Sequence, residues 1–186
     1  LATQVVARRV QIDAESLRRF VEKRKTSGQT LEEVNLVQIF IRCPAAQRSS
    51  AAGEAIAQRT MTAARQAAAE PERFGDFVRQ FGDDAEQVDR GGQLGWLDPR
   101  SLLPELGQAV ARLQPGEVSA PVSAPQGYHV LKLLGRRGER DIMFIEEFGK
   151  EREKLLEELR RDASVHLYNP SPSRPEKTQD FATSAP

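Results

Sequence analysis

The chain is poor in the residues that most often announce chemistry. It has one cysteine, Cys43, in 186 residues, which excludes an internal disulfide and a zinc site built on cysteines. Cys43 is expected to be a small apolar residue at a strand end rather than a reactive thiol. The two histidines, His129 and His166, fall on separate predicted strands and do not make a metal site. Neither sign of charge is in excess. Lys+Arg and Asp+Glu number 27 each, so no global field recruits nucleic acid or anionic lipid. No apolar run is long enough to cross a bilayer, and membrane insertion is not expected. No signal-peptide pattern is expected within these residues. The chain starts at Leu1 rather than Met, so it is expected to have been cut from a longer precursor, and the missing signal carries no information on compartment. Gly91 and Gly92 are adjacent, but no helix-opening motif or lysine follows them, which argues against a phosphate cradle. They are expected to permit a tight turn into a strand.

What is present is a set of clear periodic segments. The length suits one full domain with extensions. A helix is predicted from Asp13, which can cap it, to Lys25. Leu17, Phe20 and Val21 form its apolar stripe, Glu15 can pair with Arg19, and Ser27-Gly28 ends it. Val37, Ile39 and Ile41 alternate within Val34 to Arg42, with Leu36 and Phe40 on the other face, and predict a central strand covered on both sides. Ser49 or Ser50 opens an alanine-rich helix that Pro71 closes. Phe74, Phe77, Val78 and Phe81 mark the core face of the next helix rather than an aromatic ligand box.

Asp83 to Arg90 reads as a charged loop and Gln93 to Leu97 as a short strand. Leu102 to Leu113 contains a helix. Gln114-Pro115-Gly116-Glu117 is a turn. Val118 to Ser123 and Tyr128 to Leu134 read as a hairpin. Asp141 to Asp162 is a helix with Ile145, Phe148, Leu155, Leu156 and Leu159 on one side and solvated charges around the rest. Val165 and Leu167 alternate with their neighbours and predict a short final strand. The order of strand, two helices, strand, helix, two strands predicts an α+β fold with an antiparallel sheet. The expected organisation is a helical segment and linker at 1–34, a domain at 35–137, a helix and strand at 138–168, and a disordered tail at 169–186.

Three motifs carry more than fold. They are Gly91-Gly92-Gln93-Leu94-Gly95-Trp96, Leu113-Gln114-Pro115-Gly116-Glu117-Val118-Ser119-Ala120-Pro121-Val122, and Gln126-Gly127-Tyr128-His129-Val130-Leu131-Lys132. In this order, behind a matching first half, they resemble parvulin-type peptidyl-prolyl isomerase domains over Leu36 to Arg136. The resemblance implies a four-stranded antiparallel sheet flanked by helices, a shallow apolar groove for extended peptide, and no cofactor or metal. The flanking helices resemble the layout of the SurA family of periplasmic chaperones, from the first parvulin domain to the C-terminus, with most of the N-terminal domain missing. That likeness implies a periplasmic protein that holds unfolded outer-membrane-protein precursors without ATP. An active prolyl isomerase is the alternative.

The family's polar cluster maps onto this chain in part. The resemblance puts the last-strand histidine at His129 and the loop acid at Asp84, with Asp83 an equal candidate. It puts the proline pocket at Leu94, Leu102 and Leu106, with Trp96 nearby. Gln38 stands where the first-strand histidine belongs, Ala124 at the threonine position and Gln126 at the serine position. Glutamine hydrogen-bonds but does not titrate near neutral pH. Rotation about an X–Pro bond faces a barrier of ~18–20 kcal/mol, lowered by gripping the ring and stabilising the twisted amide. The lost imidazole and hydroxyls point to at most weak isomerase activity, and a shallow groove that buries little area points to peptide binding of micromolar strength. Taken alone, His129 reads as a buried histidine with satisfied hydrogen bonds. The stripes on the two terminal helices need a partner, and self-association through them is a further expectation.

Overall fold

Strand β1, Glu33–Arg42, is the spine of the sheet because it buries side chains on both of its faces. The computed structural model describes residues 6–7 and 9–167, with side chains as far as 161. Contacts divide the chain into two units: Ile12–Ile145, and the residues up to Gln11 together with those from Glu146 onward.

The larger unit opens with helix α1, Ala14–Thr26, whose first turn is capped as its sequence predicts. Asp13 accepts hydrogen bonds from the backbone N–H groups of Glu15 at 2.9 Å and Ser16 at 2.8 Å. After β1 come helix α2, Ala51–Ala69, and helix α3, Phe74–Phe81. Of the two serines that could open α2, Ser50 does so, accepting from the Gly53 N–H at 3.2 Å. Strand β2, Gln93–Leu97, helix α5, Pro104–Arg112, strand β3, Val122–Ala124, and strand β4, Gly127–Arg137, complete the domain, with a short helix α4, Ala85–Asp89, ahead of β2. The sheet has four strands in the order β2-β1-β4-β3, and all neighbours are antiparallel.

Each face of the sheet has its own core. On one, Val37, Ile39 and Ile41 meet Ala63, Ala64 and Ala67 of α2 and the four large residues of α3. Alanine on α2 lets the helix approach the strands closely, and the aromatic rings of α3 fill the remaining volume. On the other face, Val34, Leu36, Leu131 and Leu133 pack against Leu106, Val110 and Leu113 of α5. These residues occupy one end of the face. Farther along, Gln38, Phe40 and His129 border open space.

The structure corrects several local expectations. The charged stretch Asp83 to Arg90 contains α4, because Asp84 caps it and Ala85, Glu86 and Gln87 are favourable helix residues. Its five residues are too few to show an apolar period. The predicted strand Val118 to Ser123 is reduced to Val122–Ala124, with a separate bridge between Val118 and Lys132. Pro121 has no N–H to offer the sheet, and the Leu131 N–H donates to Ser119 Oγ at 2.9 Å instead of to a main-chain carbonyl. The helix expected within Leu102 to Leu113 is there and runs from Pro104 to Arg112; it does not begin earlier because a residue before proline is driven to extended backbone, and Leu103 has ψ 144°.

Helix α6 spans Glu139–Leu167, so Val165 and Leu167 are helical rather than a final strand. No glycine or proline after Gly149 stops it before Leu167. The tail at 169–186 and Tyr168 lie outside the described residues. In the smaller unit Val6 is buried and Arg9 pairs with Glu158 at 3.7 Å. Among the described residues no helix is long and apolar enough to cross a membrane.

Candidate functional site

Where α5 leaves the sheet uncovered there is an open cavity of about 400 Å³. Its floor is the pair of central strands. Phe40 of β1 stands directly opposite His129 of β4, and their rings meet with centroids 4.9 Å apart and tilted by 43°. Gln38, two residues back on the same face of β1, places Oε1 2.9 Å from His129 Nδ1. With the amide so oriented, the neutral imidazole carries its proton on Nδ1 and presents Nε2 as an acceptor. Burial pushes the imidazole below its ordinary value of 6.5, since desolvation penalises the charged ring.

Gln38 is held by the backbone beside it. Its N–H donates to the Gly92 carbonyl at 2.8 Å, and a Cβ on Gly92 would lie 2.2 Å from the Gln38 carbonyl oxygen at a φ of +75°. Only glycine fits there. Gly92 thus serves the close approach of the chain to β1, while both glycines take the positive φ of the turn into β2.

The two candidate acids are separated by their partners. Asp83 donates its N–H to the Phe40 carbonyl at 2.9 Å. Its carboxylate accepts from the Arg42 N–H at 2.9 Å and pairs with Arg59 at 3.0 Å. It completes the edge of β1 beyond β2 and is not among the residues that line the cavity. Asp84 lines the cavity and accepts from the Gln87 N–H at 3.3 Å.

The β3–β4 turn also lines the cavity, through Ala124, Pro125 and Gln126. Arg48 clamps this turn. Its guanidinium donates to the Ala124 carbonyl and stacks 5.4 Å from the centre of the Tyr128 ring. The Cys43 N–H donates to the Gln126 carbonyl at 3.0 Å.

The apolar residues assigned to the proline pocket are placed differently. Leu106 is buried in the core beneath α5, and Leu94 and Leu102 pack against the same cluster. The leucine that lines the cavity is Leu103, which is 45% exposed. The cause is the backbone ahead of Pro104: extended at Leu103, it turns that side chain out of the helix stripe. Trp96 stands opposite Asn35, three residues along β1 from Gln38, or ~10 Å by strand rise. Its ring lies 4.1 Å from the Arg137 guanidinium, which also pairs with Glu33. Gly95, with φ +73°, and the shift in register beside it break the alternation that would have kept Trp96 with Leu94.

Phe40, Leu103 and Pro125 are groove residues that the sequence reading did not single out. The proline after Leu103 was the available signal for that leucine. Nothing local marks Phe40 as facing a cavity. Among the described residues no group of three or more His, Cys, Asp or Glu side chains is arranged to hold a metal ion.

A four-stranded antiparallel sheet with helices on both faces, and an open groove over its central pair of strands, defines an α+β domain of the parvulin type. Residues 39–135, just over half of the chain, match the family model described as Rotamase, the PPIC-type PPIase domain. The chain belongs to that family. It is 38% identical over 117 residues to the chaperone SurA of Pseudomonas putida, covering 62% of this chain and 26% of that protein. With SurA of Pseudomonas aeruginosa the identity is 34% over 116 residues, covering 62% and 27%. The chain thus spans about a quarter of the length of these curated relatives. Among solved structures it is similar to a PpiC-type peptidyl-prolyl cis-trans isomerase domain, with 23% identity, a TM-score of 0.45, and coverage of 58% of this chain and 94% of that one.

Proposed function

We propose that the groove binds extended, unfolded polypeptide around proline or apolar residues, as part of an ATP-independent periplasmic chaperone for outer-membrane-protein precursors. The observation that carries this reading is the Gln38–His129 pair facing an open cavity walled by Phe40, Leu103 and Pro125. Phe40 and Leu103 offer apolar surface to a proline ring. His129 Nε2 offers an acceptor to a peptide N–H. The SurA relatives support the chaperone and periplasmic parts of the reading.

Prolyl isomerisation in this groove is slow at most. A twisted amide gains from hydrogen-bond donors aimed at it. The groove's side-chain donors are the amides of Gln38 and Gln126, with no hydroxyl at 124 or 126. The test pairs a peptide titration with a protease-coupled proline assay. Micromolar binding of a proline peptide with little turnover is expected. Robust turnover that His129→Ala abolishes would instead establish the active isomerase. Self-association through the terminal helices is a separate reading, motivated by Leu159, which is 54% exposed; a monomer at high concentration by light scattering removes it.

A further inference from the structure

One side chain in the groove is charged. Of the eight residues lining the cavity, Asp84 is the only Asp, Glu, Lys or Arg, and burial favours the neutral form of His129. The Asp84 carboxylate accepts a single hydrogen bond, from the Gln87 N–H, and pairs with no cation among the described residues. Asp83, one position earlier, is matched by Arg59 at 3.0 Å. Arg48 is occupied by the β3–β4 turn. Arg42 is exposed, does not line the cavity, and stacks 5.9 Å from the centre of the Phe40 ring.

Resting on the groove reading above, we propose that Asp84 is a specificity determinant: it selects client segments that carry a lysine or arginine beside the residue held in the groove, and it disfavours acidic neighbours. The cavity that Asp84 lines is also lined by Leu103 and by the rings of Phe40 and His129. Apolar surface suits the aliphatic stem of a lysine or arginine, and aromatic faces attract its charged head. The cavity walls also screen the pair less than open water does. A preference of about threefold for a basic over a neutral neighbour follows from the usual strength of a partly solvated pair, and an acidic neighbour loses a similar factor.

Asp84 also caps α4, and that structural role can be separated from its charge. Asn caps as well as Asp, so Asp84→Asn removes the charge and keeps the cap. Labelled peptides that differ at one position next to a central proline, as Lys, Gln or Glu, are titrated into the whole chain at low and at physiological salt. The position is placed before the proline in one series and after it in another. Expected for the unaltered chain, in at least one series, is the order Lys, Gln, Glu, spanning about tenfold and narrowing with salt. In Asp84→Asn the three peptides converge, so the ratios between their affinities fall to about one at both salt concentrations, whatever affinity they then share. Asp84→Ser, another capping residue, serves if the first variant does not fold. Equal affinities in both series, or an order that survives both substitutions, overturns the inference while the groove reading stands. If none of the peptides binds, the groove reading itself is wrong and the inference goes with it.

Discussion

Gln38 of β1 reaches diagonally to His129 of β4, with Oε1 2.9 Å from Nδ1. The contact is made between strands 91 positions apart in sequence. It gives a half-buried imidazole a hydrogen-bond partner that does not titrate near neutral pH.

Removing the glutamine therefore has a defined cost. Gln38→Leu leaves the His129 Nδ1–H without its partner, and a stability loss of about 1–3 kcal/mol is expected. Urea unfolding measures it. No loss would mean that water or another group serves Nδ1 equally well.

The same burial sets a pH dependence. The folded imidazole titrates below its ordinary value of 6.5, so below that pH the unfolded chain binds this proton more readily than the folded one. The contribution to stability is therefore greatest above 6.5 and declines as pH falls toward the folded value. An NMR titration of the His129 ring protons checks the direction. A midpoint above 6.5 contradicts it.

Gly91 and Gly92 make a matched pair for mutagenesis. Both have positive φ, 64° and 75°. A Cβ on Gly91 meets nothing within 4 Å, whereas one on Gly92 runs into the Gln38 carbonyl. Gly91→Ala is expected to cost about 1–2 kcal/mol from backbone conformation alone. Gly92→Ala is expected to cost more and also to weaken peptide binding by displacing Gln38. Denaturant midpoints and peptide titrations on both variants give the comparison; equal effects on the two readouts would remove Gly92 from the site.

Leu103 and Leu106 separate groove from core. Leu106 is 6% exposed, and Leu106→Ala is expected to cost about 2–5 kcal/mol. Leu103 is 45% exposed, and Leu103→Ala is expected to change stability by no more than about 0.5 kcal/mol. Its effect falls on peptide affinity, reduced about threefold or more by lost apolar contact. Thermal unfolding and titration on the same two proteins decide it. A large stability loss at Leu103 would place that residue in the core.

The elements were legible wherever the pattern is local. The alternation in β1, the four-residue stripe of α3 and the cap at Asp13 each depend on neighbours within a turn or a strand, and each formed as its residues predict. The helix in the charged stretch was not legible, because α4 is too short to display a period. The final strand was misread for a related reason: three residues of alternation at Val165 to Leu167 were outweighed by a helix already propagating into them.

By itself the sequence determined the two central strands and β2, most of the helices, and the family. Only the tertiary structure decided which acid and which leucine face the cavity. Asp83 and Asp84 are adjacent in the chain and alike in chemistry. The choice falls on Asp84 because the backbone of Asp83 is taken by the edge of β1, through its 2.9 Å bond to the Phe40 carbonyl. Such a bond joins segments remote in the chain, and no local pattern encodes it.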